Sequence, residues 1–181
     1  KDGPLVRTVE SYVQYYKRWA ENWEFQALLK ARPIAGSAQL GARYARAIDP
    51  FVWESAARES FVESVQAMRA RVTDNIPSHQ VDRQIKLGPG GLRDIEFTVQ
   101  LLQLVHGRTD PAVRTKSTVD SLAALTSVSY ISRTDAEAFS RDYKKLRVLE
   151  HRIQLQQLRR THLMPEKDAE QRALARSILS P

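Results

Sequence analysis

Gln84-Ile85-Lys86-Leu87-Gly88-Pro89-Gly90-Gly91-Leu92-Arg93-Asp94-Ile95-Glu96-Phe97-Thr98-Val99-Gln100-Leu101-Leu102-Gln103-Leu104-Val105-His106-Gly107 is the stretch on which the reading of the chain turns. Gly88, Pro89, Gly90 and Gly91 stand together, and glycine's access to φ > 0 with proline's missing amide donor forbids regular structure there. A loop at 88–91 therefore feeds a run of good helix formers that closes at Gly107, the residue type favoured at a helix C-terminus. At 100° per residue, Leu92, Ile95, Val99 and Leu102 share one side of this helix, and Phe97, Leu101, Leu104 and Val105 another. Only Arg93, Glu96, Gln100 and Gln103 make a polar strip. A helix apolar over most of its circumference belongs in the middle of a bundle, with its strip facing a cleft or another domain, or else solvent.

With 181 residues the chain is long enough for one domain with a substantial core, and residues 1–181 are read as a single helical domain. Apolar residues make up 42%, which argues against disorder. The eight prolines and seven glycines cluster at a few places and leave long segments of helical period, so the expected class is all-α, a helical bundle with a glycine-rich loop leading into a central helix. No apolar run reaches eighteen residues and no signal-peptide pattern occurs, so a soluble protein with no membrane partner is expected. The absence of cysteine rules out disulfides and thiolate metal sites and is compatible with the cytoplasm. The net charge of +7 can attract nucleic acid, nucleotides or an acidic protein, but the basic residues are scattered, which disfavours nucleic acid. The sequence opens at Lys1-Asp2-Gly3-Pro4 without methionine and is expected to be excised from a longer chain.

After a turn at Gly3-Pro4, Tyr12, Tyr15, Tyr16, Trp19 and Trp23 recur at helical spacing and predict one helix to about residue 32, its aromatic stripe turned to the core rather than to stacked bases. A short helix is read over 37–48, with Tyr44 and Ile48 inward. The next, capped by Ser55, carries Phe61, Val65, Met68 and Val72 and ends at Asp74-Asn75-Ile76-Pro77. Beyond a turn at Thr109-Asp110-Pro111, a modest helix at 117–128 buries Val119, Leu122 and Leu125. Thr134-Asp135-Ala136-Glu137 reads as a capping box for the longest helix, lined by Phe139, Tyr143, Leu146, Leu149 and Ile153 and running to about Arg160. A last helix spans Glu166–Leu179. His79, His151 and His162 lack ligand spacing and are read as surface residues.

Glycines beside a helix start let backbone amides approach an anion, although the spacing fits neither the phosphate loop of ATPases nor the dinucleotide fingerprint. The run from Ile85 to Phe97 resembles the hallmark of the bifunctional glutamine synthetase adenylyltransferase/adenylyl-removing enzymes. Trp23-Glu24-Phe25-Gln26-Ala27-Leu28-Leu29-Lys30-Ala31-Arg32 is a second point of resemblance. The uridylyltransferase of the PII protein carries a similar Gly-Gly-Leu-Arg-Asp segment, but the continuation Ile95-Glu96-Phe97 is closer to the adenylyltransferase, and to its adenylyl-removing half.

The resemblance implies a half-molecule in which a magnesium-dependent nucleotidyltransferase domain, acting on ATP or AMP, precedes a helical domain. It also implies glutamine synthetase as the protein whose tyrosine loses AMP by phosphorolysis or gains it from ATP, with a PII protein as a further partner. This chain corresponds to the helical domain. Gly36-Ser37 imitates the start of the family's catalytic signature, but the Asp-x-Asp pair that would hold magnesium does not follow. Asp94 and Glu96 cannot replace it, because on a helix they point about 200° apart, and Glu96 is better placed to pair with Arg93. No catalytic or metal residue is therefore assigned, and the chain alone is expected to be inactive and to bind no nucleotide tightly. Lys86, Arg93 and the amides of Gly90 and Gly91, with Lys30 and Arg32 behind them, are the candidates for a position near the phosphates or the domain seam. The other reading of Lys86 and Arg93 is an ion-paired hinge that holds the loop, and the other reading of the whole is an interaction module that docks glutamine synthetase or PII.

Overall fold

The computed structural model describes residues 4 and 6–179; Gly3 of the expected first turn and Pro181 lie outside them. Among the described residues there are eight α-helices: α1 (Val9–Arg18), α2 (Asn22–Leu28), α3 (Ala38–Glu54), α4 (Phe61–Asp74), α5 (Leu92–Gly107), α6 (Thr118–Ser127), α7 (Arg133–Gln157) and α8 (Asp168–Leu179). Short 3-10 turns lie at Ser55–Ala57, Ser78–Arg83 and Pro111–Val113. The only extended pairing among these residues is an isolated antiparallel bridge between Gln84 and Leu163. The class is all-α, as the periodicity predicts. No helix is long and apolar enough to cross a membrane among the described residues.

Two apolar cores flank α5, and its two predicted faces divide between them. Ile95 and Val99 join Val113, Leu122, Leu125 and Ala136 in one core, with Leu102, Phe139, Tyr143 and Leu146 packed at its edge. Leu104 joins Tyr16, Phe25, Leu29, Ile48, Val52, Trp53, Phe61 and Val65 in the other, with Phe97 and Leu101 against it. Val105, expected inward, is 41% exposed. Val99 and Leu104 are fully buried, each contributing about 1.5–3 kcal/mol through apolar area removed from water. Truncating Leu104 to alanine would open a cavity between α3 and α5 at a cost of about 2–5 kcal/mol.

The Gln100–Gln103 part of the polar strip of α5 is buried, and Arg93 and Glu96 are half-buried. Gln100 accepts a buried hydrogen bond of 2.9 Å from Gln26 on α2. The Gln103 amide donates to the carbonyls of Val113 and Thr115, at 2.7 and 2.9 Å. Gly107 closes the helix where a Cβ would stand 2.6 Å from the Trp53 ring, so its role is close packing as much as chain termination.

Several boundaries differ from the sequence reading, each for a local reason. The first aromatic helix is two helices, because Glu21 and Glu24 form a capping box that restarts the chain as α2. The restart turns Trp19 and Trp23 outward, at 73% and 49% exposure, while Tyr16 and Phe25 are buried. Helix α3 continues through Pro50 to Glu54, since the burial of Val52 and Trp53 outweighs the amide that proline lacks. Ser55 does not start α4: it is the C-cap of α3, its hydroxyl donates to the Val52 carbonyl over 2.7 Å, and α4 starts at Phe61. Helix α7 is capped by Ser132 rather than Thr134, the Ser132 oxygen accepting the Asp135 amide at 3.0 Å.

Candidate functional site

The glycine loop is a sharp corner whose polar groups are consumed by the protein itself. The amides of Leu92 and Arg93 donate back to the carbonyls of Ile85 and Lys86, at 3.0 and 2.9 Å, folding the turn at 85–87 onto the start of α5. Gly88 and Gly91 permit this, because a Cβ would lie 2.5 Å from the Gln84 carbonyl oxygen at the first and 2.7 Å from that of Ile85 at the second. Gly90 supplies φ +71°. The Gly91 amide donates to the Gly88 carbonyl over 3.1 Å. The Gly90 amide donates to the Asp94 carboxylate over 2.7 Å. Asp94 thus places an internal anion at the helix N-terminus, where the dipole favours one, and Arg69 of α4 pairs with its other oxygen while donating to the Gly88 carbonyl.

Lys86 leaves this corner toward α7. Its Nζ lies 2.9 Å from Oε1 of Glu150, a carboxylate with 2% exposure that also pairs with Arg147. His162 brings Nδ1 within 2.9 Å of the same oxygen but outside hydrogen-bond geometry, so that nitrogen stays unpartnered. Burial raises the Glu150 carboxyl, and Lys86 and Arg147 outweigh it, holding the group below its ordinary range. Burial, reinforced by Lys86, pushes His162 down against the opposing pull of Glu150. His162 is therefore not the surface residue expected. The bridge between Gln84 and Leu163 folds it in, with the Ile85 amide donating to the His162 carbonyl over 3.1 Å. His79 and His151 are exposed, as read.

Arg93, Glu96 and Lys30 form a second cluster, further along the contact between α5 and α7. Arg93 pairs with Glu96 one turn on, at 3.2 Å, and lies over the Phe97 ring. Tyr143 of α7 reaches Glu96 at 3.4 Å, and burial pushes its hydroxyl up. Lys30 donates to the Lys116 carbonyl and the Thr118 hydroxyl, at 2.8 and 3.1 Å. Burial lowers its ammonium, with the field of Glu96 opposing. Arg32 is exposed and borders a cavity of about 110 Å³ between α2 and α3, lined by Leu28, Tyr44, Ile48 and Val52 with Asp49 and Lys116 at its edge.

The structure thus divides the candidates. Lys86 and Arg93 are adjacent through the backbone but serve different carboxylates, Lys30 comes near Glu96, and Arg32 stands apart. Residue chemistry here does not fit a divalent cation. Asp94 is engaged by Arg69 and the Gly90 amide, Glu96 by Arg93 and Tyr143, and no three His, Asp or Glu side chains gather to hold a metal among the described residues. Ser37 of the Gly36-Ser37 turn caps α3, accepting from the Leu40 amide at 3.2 Å. Sequence reasoning missed Glu150 and Arg69. The available signal for Glu150 was its place as the lone acid between Tyr143 and Arg160.

Residues 66–179 of this all-helical scaffold match the family described as GlnD PII-uridylyltransferase, and the chain belongs to that family. Residues 1–47 match the family described as glutamate-ammonia ligase adenylyltransferase. Over nearly its whole length the chain is similar to the bifunctional glutamine synthetase adenylyltransferase/adenylyl-removing enzymes of Leifsonia xyli subsp. xyli, at 64% identity over 177 residues, and Streptomyces coelicolor, at 60% over 178. The Mycobacterium tuberculosis enzyme is 56% identical over 179 residues. Each alignment takes in 98% of this chain and 18% of the relative, so the chain spans under a fifth of the length of these proteins.

Proposed function

We propose that this chain is the helical domain of a bifunctional glutamine synthetase adenylyltransferase/adenylyl-removing enzyme, in the half that removes AMP, and that it shapes the reaction centre without supplying the carboxylates that hold magnesium. Residues 1–181 act as one domain beside a nucleotidyltransferase domain of the same polypeptide. That neighbour brings Mg²⁺ and ATP or AMP, glutamine synthetase is the protein substrate, PII is a further partner, and the setting is the cytoplasm.

The observation that carries this reading is the satisfied state of the candidate donors. Lys86 is matched by Glu150, Arg93 by Glu96, Lys30 by Lys116 and Thr118, and the Gly90 and Gly91 amides by Asp94 and Gly88. A phosphate site keeps its donors aimed at the ligand, whereas these are engaged by acceptors of the same chain. Lys86 and Arg93 are accordingly read as the ion-paired frame of the domain seam, and exposed Arg32 as the cation left for the neighbouring domain.

Replacing Lys86 and Arg93 singly with alanine in a full-length enzyme carrying this stretch tests the assignment. Near-normal deadenylylation per folded molecule with a lowered melting temperature is expected. A rate loss of about a hundredfold at unchanged melting temperature would return both residues to the phosphates. The match of residues 66–179 supports a second reading, the equivalent domain of a PII uridylyltransferase. Nucleotidyl transfer by that full-length enzyme to PII, with none to glutamine synthetase, would select it.

A further inference from the structure

Helix α7 carries a second stripe that neither core uses. Its inner face, with Leu146 and Ile153, packs inward, and Ile153 is fully buried. On the far side Val148, Leu155 and Leu158 are 44%, 63% and 88% exposed, with His151 exposed between them. The intervals 148, 151 and 155 are three and four, so these side chains lie within roughly 60° of one another, in the a and d positions of a heptad seam, and Leu158 follows at the C-cap of the helix. Beside the lower half of the stripe a shallow depression of about 680 Å³ is lined by His151, Gln154, Leu155, Leu158, Arg159 and Arg160. Leu158 also holds φ 47°, a left-handed conformation costing a leucine about 1 kcal/mol, so an exposed apolar side chain is presented at an energetic cost.

Charge identifies the occupant. From Tyr143 to Arg160 the lone acid is Glu150, which is buried with Lys86 and Arg147. Lys145 and Arg152 fall on one flank of the stripe, at heptad positions where coiled coils place their partner-selecting charges. Arg159 continues that flank and shares a hollow with Glu170 of α8, and Asp142, one turn before Lys145 and paired with Arg141, offsets part of the Lys145 charge, so the excess positive charge of the flank is centred on Arg152. We propose that the Val148–His151–Leu155–Leu158 ridge is a docking seam for an acidic amphipathic helix of a partner polypeptide. A second copy of this chain would set the same cations against each other. A lipid surface calls for a broad apolar face, whereas this stripe is one residue wide on a helix whose other side is committed to the bundle.

The test uses the 181-residue chain and two synthetic peptides about four heptads long, both with leucine at a and d, one with glutamate and the other with lysine at e and g. Fluorescence anisotropy at low and high salt is expected to show binding of the acidic peptide alone, weakened about tenfold by salt. Leu155→Glu is expected to weaken it about tenfold more while leaving the melting temperature unchanged, because the side chain is exposed. The proposal is overturned if the acidic peptide fails to bind, if both peptides bind alike, or if Leu155→Glu has no effect. It is equally overturned if sedimentation reveals a dimer closed by this face, or if the chain collects on phosphatidylserine vesicles instead.

Discussion

The Arg93 amide donates to the Lys86 carbonyl over 2.9 Å, yet the two side chains part to different carboxylates, Glu150 of α7 for Lys86 and Glu96 of α5 for Arg93. One backbone hydrogen bond therefore ties together two ion pairs, and the loop between them cannot move without disturbing both.

Glu150→Ala is expected to cost about 2–4 kcal/mol, because Lys86 and Arg147 would face each other without their shared carboxylate. Combining Lys86→Met with Glu150→Leu should recover part of the loss, since apolar groups of similar volume avoid the desolvation penalty. Urea denaturation of the singles and the double checks this: additive losses would show that the two residues are not coupled.

Stability should fall as the solution is acidified, in two steps. His162 and Glu150 both have folded pKa values below their ordinary ones, so the unfolded chain takes up protons first. Their contributions are present above about pH 6.5 and about pH 4.5, respectively, and are lost as pH falls through the folded values. The urea midpoint should decline first below about pH 6.5 and more steeply below about pH 4.5. In His162→Gln the upper step should vanish and the lower remain.

Gln103→Leu is expected to cost about 1–3 kcal/mol despite a gain in apolar character, because the Val113 and Thr115 carbonyls lose their donor. The cost is moderated by removal of Gln103 Oε1, which is itself buried without a partner. Melting temperatures report the loss, and amide exchange should quicken around 113–118 before it does elsewhere.

Gly91→Ala should destabilise more than Gly90→Ala. At Gly91 the new Cβ meets three carbonyl oxygens within 3.0 Å, all backbone, so the corner itself must shift. At Gly90 there is open space and only the positive φ to oppose, a penalty of about 1 kcal/mol. Thermal melting of both variants ranks them, and equal losses would remove the close approach as the reason for glycine at position 91.

The glycine corner, the start and end of α5 and its assignment to two apolar faces were legible in the sequence, because backbone permissiveness and a 3.6-residue period are local properties. So was the Arg93–Glu96 pair, whose spacing fixes its geometry. What the tertiary structure alone decided were the outcomes of long-range competition. Pro50 stays within α3 because Val52 and Trp53 gain burial against α5. The outward turn of Trp19 and Trp23 is the exception, since it follows from a local capping box of Glu21 and Glu24 that the aromatic spacing masked. Lys86 meets Glu150 across 64 residues, and His162 joins them through a bridge from Gln84 to Leu163. No interval in a linear sequence encodes such distances; they follow from which surfaces lose most water when α5, α7 and the segment at 161–164 close on one another.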